Sequence, residues 1–164
     1  MSQAFFDYPD QEDSSASQEL VLLANWDDAK WRALLRYTEL RRFKQGDLVI
    51  RQGDTDRAFY IIISGQLEVL IAKGANNNSN SQWRRAHVSE AGSAIGEQAF
   101  LDAKPRSATL RALTDGEMLC VSNDAFHVLA AQEPELARDV LFELARTLSV
   151  KLRKANGLIA TLVK

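Results

Sequence analysis

Gly96-Glu97-Gln98-Ala99-Phe100-Leu101-Asp102-Ala103-Lys104-Pro105-Arg106-Ser107-Ala108-Thr109-Leu110 sets an acid and a base on either side of one short helical turn. The glycine ahead of Glu97 lets a ligand come close to the backbone, and the turn after it presents amide groups that favour an anion. Arg106 adds a planar fork of donors matched to two phosphate oxygens, with the Ser107 hydroxyl beside it and Ala108 following. A carboxylate suits a sugar hydroxyl and a guanidinium suits a phosphate, so the stretch has the chemistry of a cradle for a small phosphorylated sugar. Taken alone, Glu97 and Arg106 would be a surface ion pair of little energetic weight. With no ligand or water between them, two such ions in an apolar cleft would be costly to desolvate, which favours half of a complex.

Toward the N-terminus the pattern is one of short strands, expected around residues 40–43, 47–50, 57–63, 66–72 and 82–89, with two more at 107–113 and 116–122. Gly46, Gly53 and Gly65 fall between these runs, where a turn often needs a positive φ. Many short strands punctuated in this way predict a closed or double-sheet β structure. The polar, low-complexity loop 74–81 is longer than a tight hairpin needs and is expected to be a flexible tip. Ahead of the strands, Asn25 is a candidate N-cap for a helix carrying Trp26, Ala33, Leu34 and Tyr37, with Trp26 and Trp31 as core anchors. Residues 1–24 hold Asp7, Asp10, Glu12, Asp13 and Glu19 among serines and glutamines, a composition that predicts a flexible acidic tail.

Past Ser122 the period becomes helical. Asn123 and Asp124 are candidate caps for a short helix with Phe126, Val128 and Leu129, and Pro134 suits the first turn of the next one. There Leu136, Val140, Leu144, Leu148 and Leu152 step by four, joined by Leu141 and continued through Ala155, Leu158, Ile159 and Leu162. At about 1.5 Å per residue such a helix spans on the order of 40 Å, more than a barrel of this size covers. A second copy of the same helix is the simplest cover for its far end, which predicts a homodimer. Gly157 keeps another reading open, in which the helix ends there and residues 158–163 fold back on the barrel.

The cassette, together with Gly46-Asp47-Leu48-Val49-Ile50, Gln52-Gly53-Asp54 and Tyr60-Ile61-Ile62-Ile63-Ser64-Gly65-Gln66-Leu67-Glu68-Val69, resembles the cyclic-nucleotide-binding domain family. That family includes the bacterial catabolite activator protein, kinase regulatory subunits and cyclic-nucleotide-gated channels, and the resemblance runs from roughly Trp26 to Asn156. It implies a mainly β fold with flanking helices: a jelly-roll barrel over about 40–122, an N-terminal helix, and C-terminal helices over about 123–162, all within a domain at 25–164. It also implies that Glu97 takes the ribose 2′-hydroxyl and Arg106 the cyclic phosphate, with Gly96, Gln98, Ser107 and Ala108 completing the cassette. The base would lie against Val69 and Ala86 under a lid near Leu152 or Arg153, and Ser107 could meet the edge of a syn guanine. Two departures stand out: Lys151 and Leu152 replace the small hydroxyl residues that the catabolite activator offers to adenine, and Gln98 replaces a small or aliphatic residue.

The function implied is a non-catalytic sensor of cAMP or cGMP in which phosphate capture lets the segment from Asp124 to Leu152 close over the base. The competing reading is a regulatory module of a larger transporter or enzyme, acting through a downstream protein partner, with nucleotide binding lost or altered. The stretch from Leu144 to Asn156 resembles domains appended to transporters and channels.

Composition narrows the remaining classes. A chain of 164 residues with 46% hydrophobic content supports one domain with a proper core. A net charge of -2 gives no general attraction to nucleic acid or anionic membranes, and no helix-turn-helix module follows the last helix, so no DNA binding is expected. No apolar run reaches the roughly 20 residues of a membrane span, and the N-terminus shows no secretion signal. Cys120, the single cysteine, is expected on a buried strand, and a reducing, cytoplasmic setting is expected with it. His87 and His127 lack neighbours that would suggest a metal site or a nucleophile–base pair, and no ATPase-type phosphate loop is present, so neither enzyme nor cofactor is expected.

Overall fold

The computed structural model describes residues 25–72 and 83–162, with side chains through residue 160. The acidic segment 1–24 and the loop 74–81 lie outside the described residues, together with the expectations placed on them. In chain order the elements are α1 (Asp28–Leu35), β1 (Glu39–Phe43), β2 (Leu48–Ile50), β3 (Ala58–Ser64), β4 (Leu67–Ala72), β5 (Trp83–Ser89), β6 (Ala94–Ile95), α2 (Glu97–Asp102), β7 (Thr109–Ala112), β8 (Gly116–Ser122), α3 (Asn123–Gln132) and α4 (Pro134–Leu162).

The strands form two antiparallel four-stranded sheets, ordered β1-β8-β3-β6 and β2-β7-β4-β5. This is the double-sheet structure that the pattern of short strands predicts, and with its flanking helices it is the jelly-roll fold that the resemblance implies. The alternation of side chains along a strand explains how it is filled. On β3, Tyr60 and Ile62 point between the sheets, where they meet Phe43, Leu67, Leu110, Met118 and Cys120. Phe59 and Ile61 point the other way, against Leu34, Leu129, Leu136, Val140 and Leu144 of the helices. Because β3 is covered on both faces, it is apolar from Ala58 to Ile63. Cys120 is buried on β8 as expected, and Trp26 and Trp31 pack against the helix-side core.

Several boundaries differ from expectation. Asp27, not Asn25, caps α1 by accepting a hydrogen bond from the Lys30 backbone N–H. Ser122, rather than Asn123 or Asp124, caps α3 through the Ala125 N–H at 3.1 Å. The strand expected at 107–113 starts only at Thr109, because Ser107 and Ala108 still belong to the turn after Arg106. β6 was not anticipated; two residues are too few to show a period. Gly65 takes φ 87°, and a Cβ there would lie 2.7 Å from the Asp115 carbonyl oxygen, so the turn into β4 needs a glycine.

α4 begins at Pro134 and continues through Gly157 without a break, so the folded-back ending is not adopted. Its 29 residues extend about 43 Å. Leu136, Val140 and Leu144 are buried, whereas Leu152, Leu158 and Ile159 are 62%, 65% and 58% exposed. No helix among the described residues is long and apolar enough to cross a membrane.

Candidate functional site

β6 delivers the chain to Gly96, which adopts the left-handed region at φ 75° and starts α2 at Glu97. Phe100 on α2 packs edge-on between Phe59 of β3, at 4.9 Å, and Phe126 of α3, at 5.1 Å, pinning the cassette to the sheet. Ala103, also left-handed at φ 57°, ends α2 and turns the chain back toward Arg106. The Arg106 backbone is then clamped to the turn before β3. Its N–H donates to the Asp54 carbonyl at 2.8 Å, and its carbonyl accepts from Gly53 N–H at 2.9 Å.

That clamp places Asp56 beside the guanidinium. Arg106 is 3% exposed, and its Nε donates to Asp56 Oδ1 at 3.1 Å while Nη2 donates to Asp56 Oδ2. Nη1 donates to the Gly96 carbonyl at 2.8 Å. Of the five guanidinium N–H groups, these three contacts leave one on each terminal nitrogen. The Arg106 hydrogen bond holds the Asp56 carboxyl below the usual carboxylate range, against a smaller opposing push from partial burial. Tyr60 lies under both Arg106, at 5.7 Å, and Arg41, at 5.8 Å, as a cation–π platform.

Glu97 is 4% exposed and accepts from Lys151 Nζ at 2.8 Å; the same ammonium donates to the Ala94 carbonyl at 2.9 Å. A residue of α4 thus closes on the cassette from 54 positions further along the chain. Ser107 and Gln98 also meet, with the Ser107 hydroxyl donating to Gln98 Oε1. The structure therefore brings Gly96, Glu97, Gln98, Arg106 and Ser107 together as expected, with Ala108 next to them and half-buried. It corrects one expectation: the two ions are not unpaired, since Asp56 partners Arg106 and Lys151 partners Glu97.

The proposed base wall is divided. Val69 is half-buried and packs on the inter-sheet core. Ala86 is exposed, and it falls at the irregularity where the β4–β5 register passes from Val69↔His87 to Leu70↔Arg85. Leu152 and Arg153 are exposed on α4, one and two residues beyond the side chain that reaches the cassette. Asp56 and Lys151 were missed as site residues. A signal for Lys151 was available: it lies seven residues after Leu144 and four after Thr147, both buried, so helical spacing puts it on the inward face.

A cleft of about 710 Å³ nearby is lined by Arg41, Ile50, Asp54, Asp56, Tyr60 and Cys120, and includes neither Glu97 nor Arg106. Burial pushes the Cys120 thiol up, away from reactivity.

The sequence profile of the cyclic nucleotide-binding domain matches residues 40–133. The cAMP-dependent protein kinase regulatory subunit of Blastocladiella emersonii is 36% identical over 103 residues, 63% of this chain and 24% of that protein. The cyclic AMP receptor protein of Thermus thermophilus is 29% identical over 122 residues, covering 74% of this chain and 52% of its own length. The crystal structure of the Thermus thermophilus catabolite activator protein superposes with a TM-score of 0.72 at 26% identity, over 87% of this chain and 62% of that one. A cyclic nucleotide-binding domain from Methylobacillus flagellatus shares the fold at a TM-score of 0.74 and 24% identity, over 83% and 74% of the two chains. The chain thus spans about a quarter to a half of these two curated relatives.

Proposed function

Because the chain belongs to the cyclic nucleotide-binding domain family, we propose that it is a non-catalytic receiver of cAMP or cGMP whose occupancy biases the position of α4. The observation that carries this reading is the buried Arg106, aimed by Asp56 and the Gly96 carbonyl with two N–H groups to spare. Those two groups suit the two exocyclic oxygens of a cyclic phosphate, a charge-assisted, bidentate contact. Asp56 fixes the fork in advance, so less side-chain freedom is lost on binding. At the other end Glu97 accepts the ribose 2′-hydroxyl proton, and Lys151, with one ammonium N–H unused by its two contacts, donates to the same oxygen. The base lies toward Val69 and Ala86, with Leu152 and Arg153 above it.

Lys151 gives the switch a mechanical basis. A ligand moves an equilibrium only through its differential affinity for two arrangements. A ribose that bonds both Glu97 and Lys151 favours the arrangement in which α4 is drawn onto the cassette. The apolar residues left exposed beyond Lys151 support pairing with the α4 of a second copy, so that the receiver works as a homodimer.

One observation favours a second reading: both ions already have protein partners, as a regulatory module that had lost nucleotide binding would require. Calorimetric titration with cAMP, cGMP and 5′-AMP separates the two. Tight binding of a cyclic nucleotide that disappears in Arg106→Ala supports the receiver, and no heat with any of the three supports the module.

A further inference from the structure

α1 and α4 lie side by side and run in opposite directions. Lys30 Nζ pairs with Asp139 at 2.9 Å, and Arg36 Nη2 pairs with Glu133, just ahead of α4, at 2.7 Å, so rising numbers on α1 meet falling numbers on α4. The N-terminal end of α1 therefore points toward the far half of α4. At 3.6 residues per turn, positions seven apart share a side of a helix. The side of α4 that holds Asp139 against Lys30 thus carries Arg146 and then Arg153 further along. Arg146 donates from Nη2 to Glu143 at 3.0 Å, and its Nε–H is buried with no acceptor among the described residues. Arg153 and Lys154 are exposed.

Charge is divided along the chain to match. Residues 144–164 hold Arg146, Lys151, Arg153, Lys154 and Lys164 and no Asp or Glu, whereas residues 1–24 hold five acids and no Lys or Arg. We propose that the acidic segment with Asp7, Asp10, Glu12, Asp13 and Glu19 docks on this basic side of α4 in its own chain, placing carboxylates on Arg153 and Lys154 and an acceptor on the Arg146 Nε–H. The lengths agree. Arg153 stands fourteen residues beyond Asp139, about 21 Å along the axis. About seven residues of extended chain cover that distance, and Glu19 is nine residues ahead of Asp28, where α1 begins. A carboxylate on a guanidinium is a charge-assisted bond, and one that also satisfies a buried N–H removes the cost of leaving it unpaired. Leu152 and Ile159, again seven apart, lie on another side of the helix and stay available to a second copy. An Arg153 engaged in this way leaves the cover of the base to Leu152, a consequence that alone rests on the nucleotide reading.

Zero-length carbodiimide cross-linking of the full chain, read by peptide mass spectrometry, tests the proposal. The reagent joins a carboxylate to an amine only in contact, so Lys44 and Asp115, paired at 2.8 Å, serve as the internal control. The expected result is a bond between Lys154 and a carboxylate of residues 7–19 in material of single-chain mass. Its yield should fall roughly two- to fivefold in Arg153→Gln, as for the loss of one exposed ion pair, whereas tethering alone would leave the yield unchanged. Amide exchange over residues 152–160 should quicken severalfold when Asp7→Asn, Asp10→Asn, Glu12→Gln, Asp13→Asn and Glu19→Gln are combined. Bonds found only at double-chain mass, a yield unmoved by Arg153→Gln, unchanged exchange, or no bond to Lys154 while Lys44 and Asp115 join, would each overturn the proposal. None of these outcomes touches nucleotide binding, which calorimetry reads separately.

Discussion

At Gly96 one missing methyl group decides the position of the Arg106 guanidinium. A Cβ there would lie 2.5 Å from Arg106 Nη1 and 3.1 Å from the Ala58 carbonyl oxygen, in a backbone conformation that L side chains resist. Gly96→Ala is expected to lower stability by about 1–2 kcal/mol in chemical denaturation. It is also expected to weaken cyclic-nucleotide affinity by more than tenfold, since the guanidinium must leave the position that Asp56 and the Gly96 carbonyl define. Asp56 adds a pH dependence of definite sign. Its carboxyl is held below the unfolded value of about 3.9 by the Arg106 hydrogen bond, so its contribution is fully present above that pH. The contribution is lost as pH falls through the lower folded-state value. Denaturation midpoints measured from about pH 6 to about pH 2 should therefore decline steeply at the acid end in the wild type and less so in Asp56→Asn.

Among the elements, α4 links the site to the rest of the fold, and Lys151 is where the link is made. Lys151→Met strands the Glu97 carboxylate without its partner, and an unsatisfied buried polar group costs about 1–3 kcal/mol. Amide exchange over residues 148–160 should quicken in this variant and stay near wild type in Lys151→Arg; equal protection in all three proteins would mean that α4 is held by its packing alone. Legibility in the sequence follows the same division. β3 and β8 stood out because burial on both faces, or alternation, leaves a trace in consecutive residues, and the cassette stood out because its acid, turn and base are contiguous. β6 had too few residues to show any period. The caps of α1 and α3 were misplaced by one or two residues, because Asn25 and Asp27, or Ser122 and Asn123, are equally competent acceptors and only the path of the chain chooses between them. Helical spacing marks Lys151 as inward-facing, but its pairing with Glu97, like that of Asp56 with Arg106, left no sequence signal because tertiary closure creates it across 54 and 50 residues.

For the whole molecule, two apolar cores hold together what the described residues show. One lies between the sheets, and the other lies between the β1-β8-β3-β6 sheet and the helices. The helix-side core ends at Leu144, and further along α4 Lys151 still bonds to the barrel. Beyond it Leu152, Leu158 and Ile159 stay open to solvent, although most helical stability in proteins comes from packing an apolar face. Burying each of these side chains against a neighbour gains about 1.5–3 kcal/mol, enough to favour pairing of two such helices over solvated ends. Light scattering at micromolar concentration should accordingly give twice the chain mass for the wild type. The doubly substituted Leu158→Glu, Ile159→Glu chain should scatter as a monomer, because like charges would then face each other across the helix pair. Its melting transition should lose only the concentration dependence that the dimer confers, for neither residue belongs to either core. A wild-type chain of monomeric mass would mean instead that the exposed turns of α4 are covered by another protein or by a further part of a longer polypeptide.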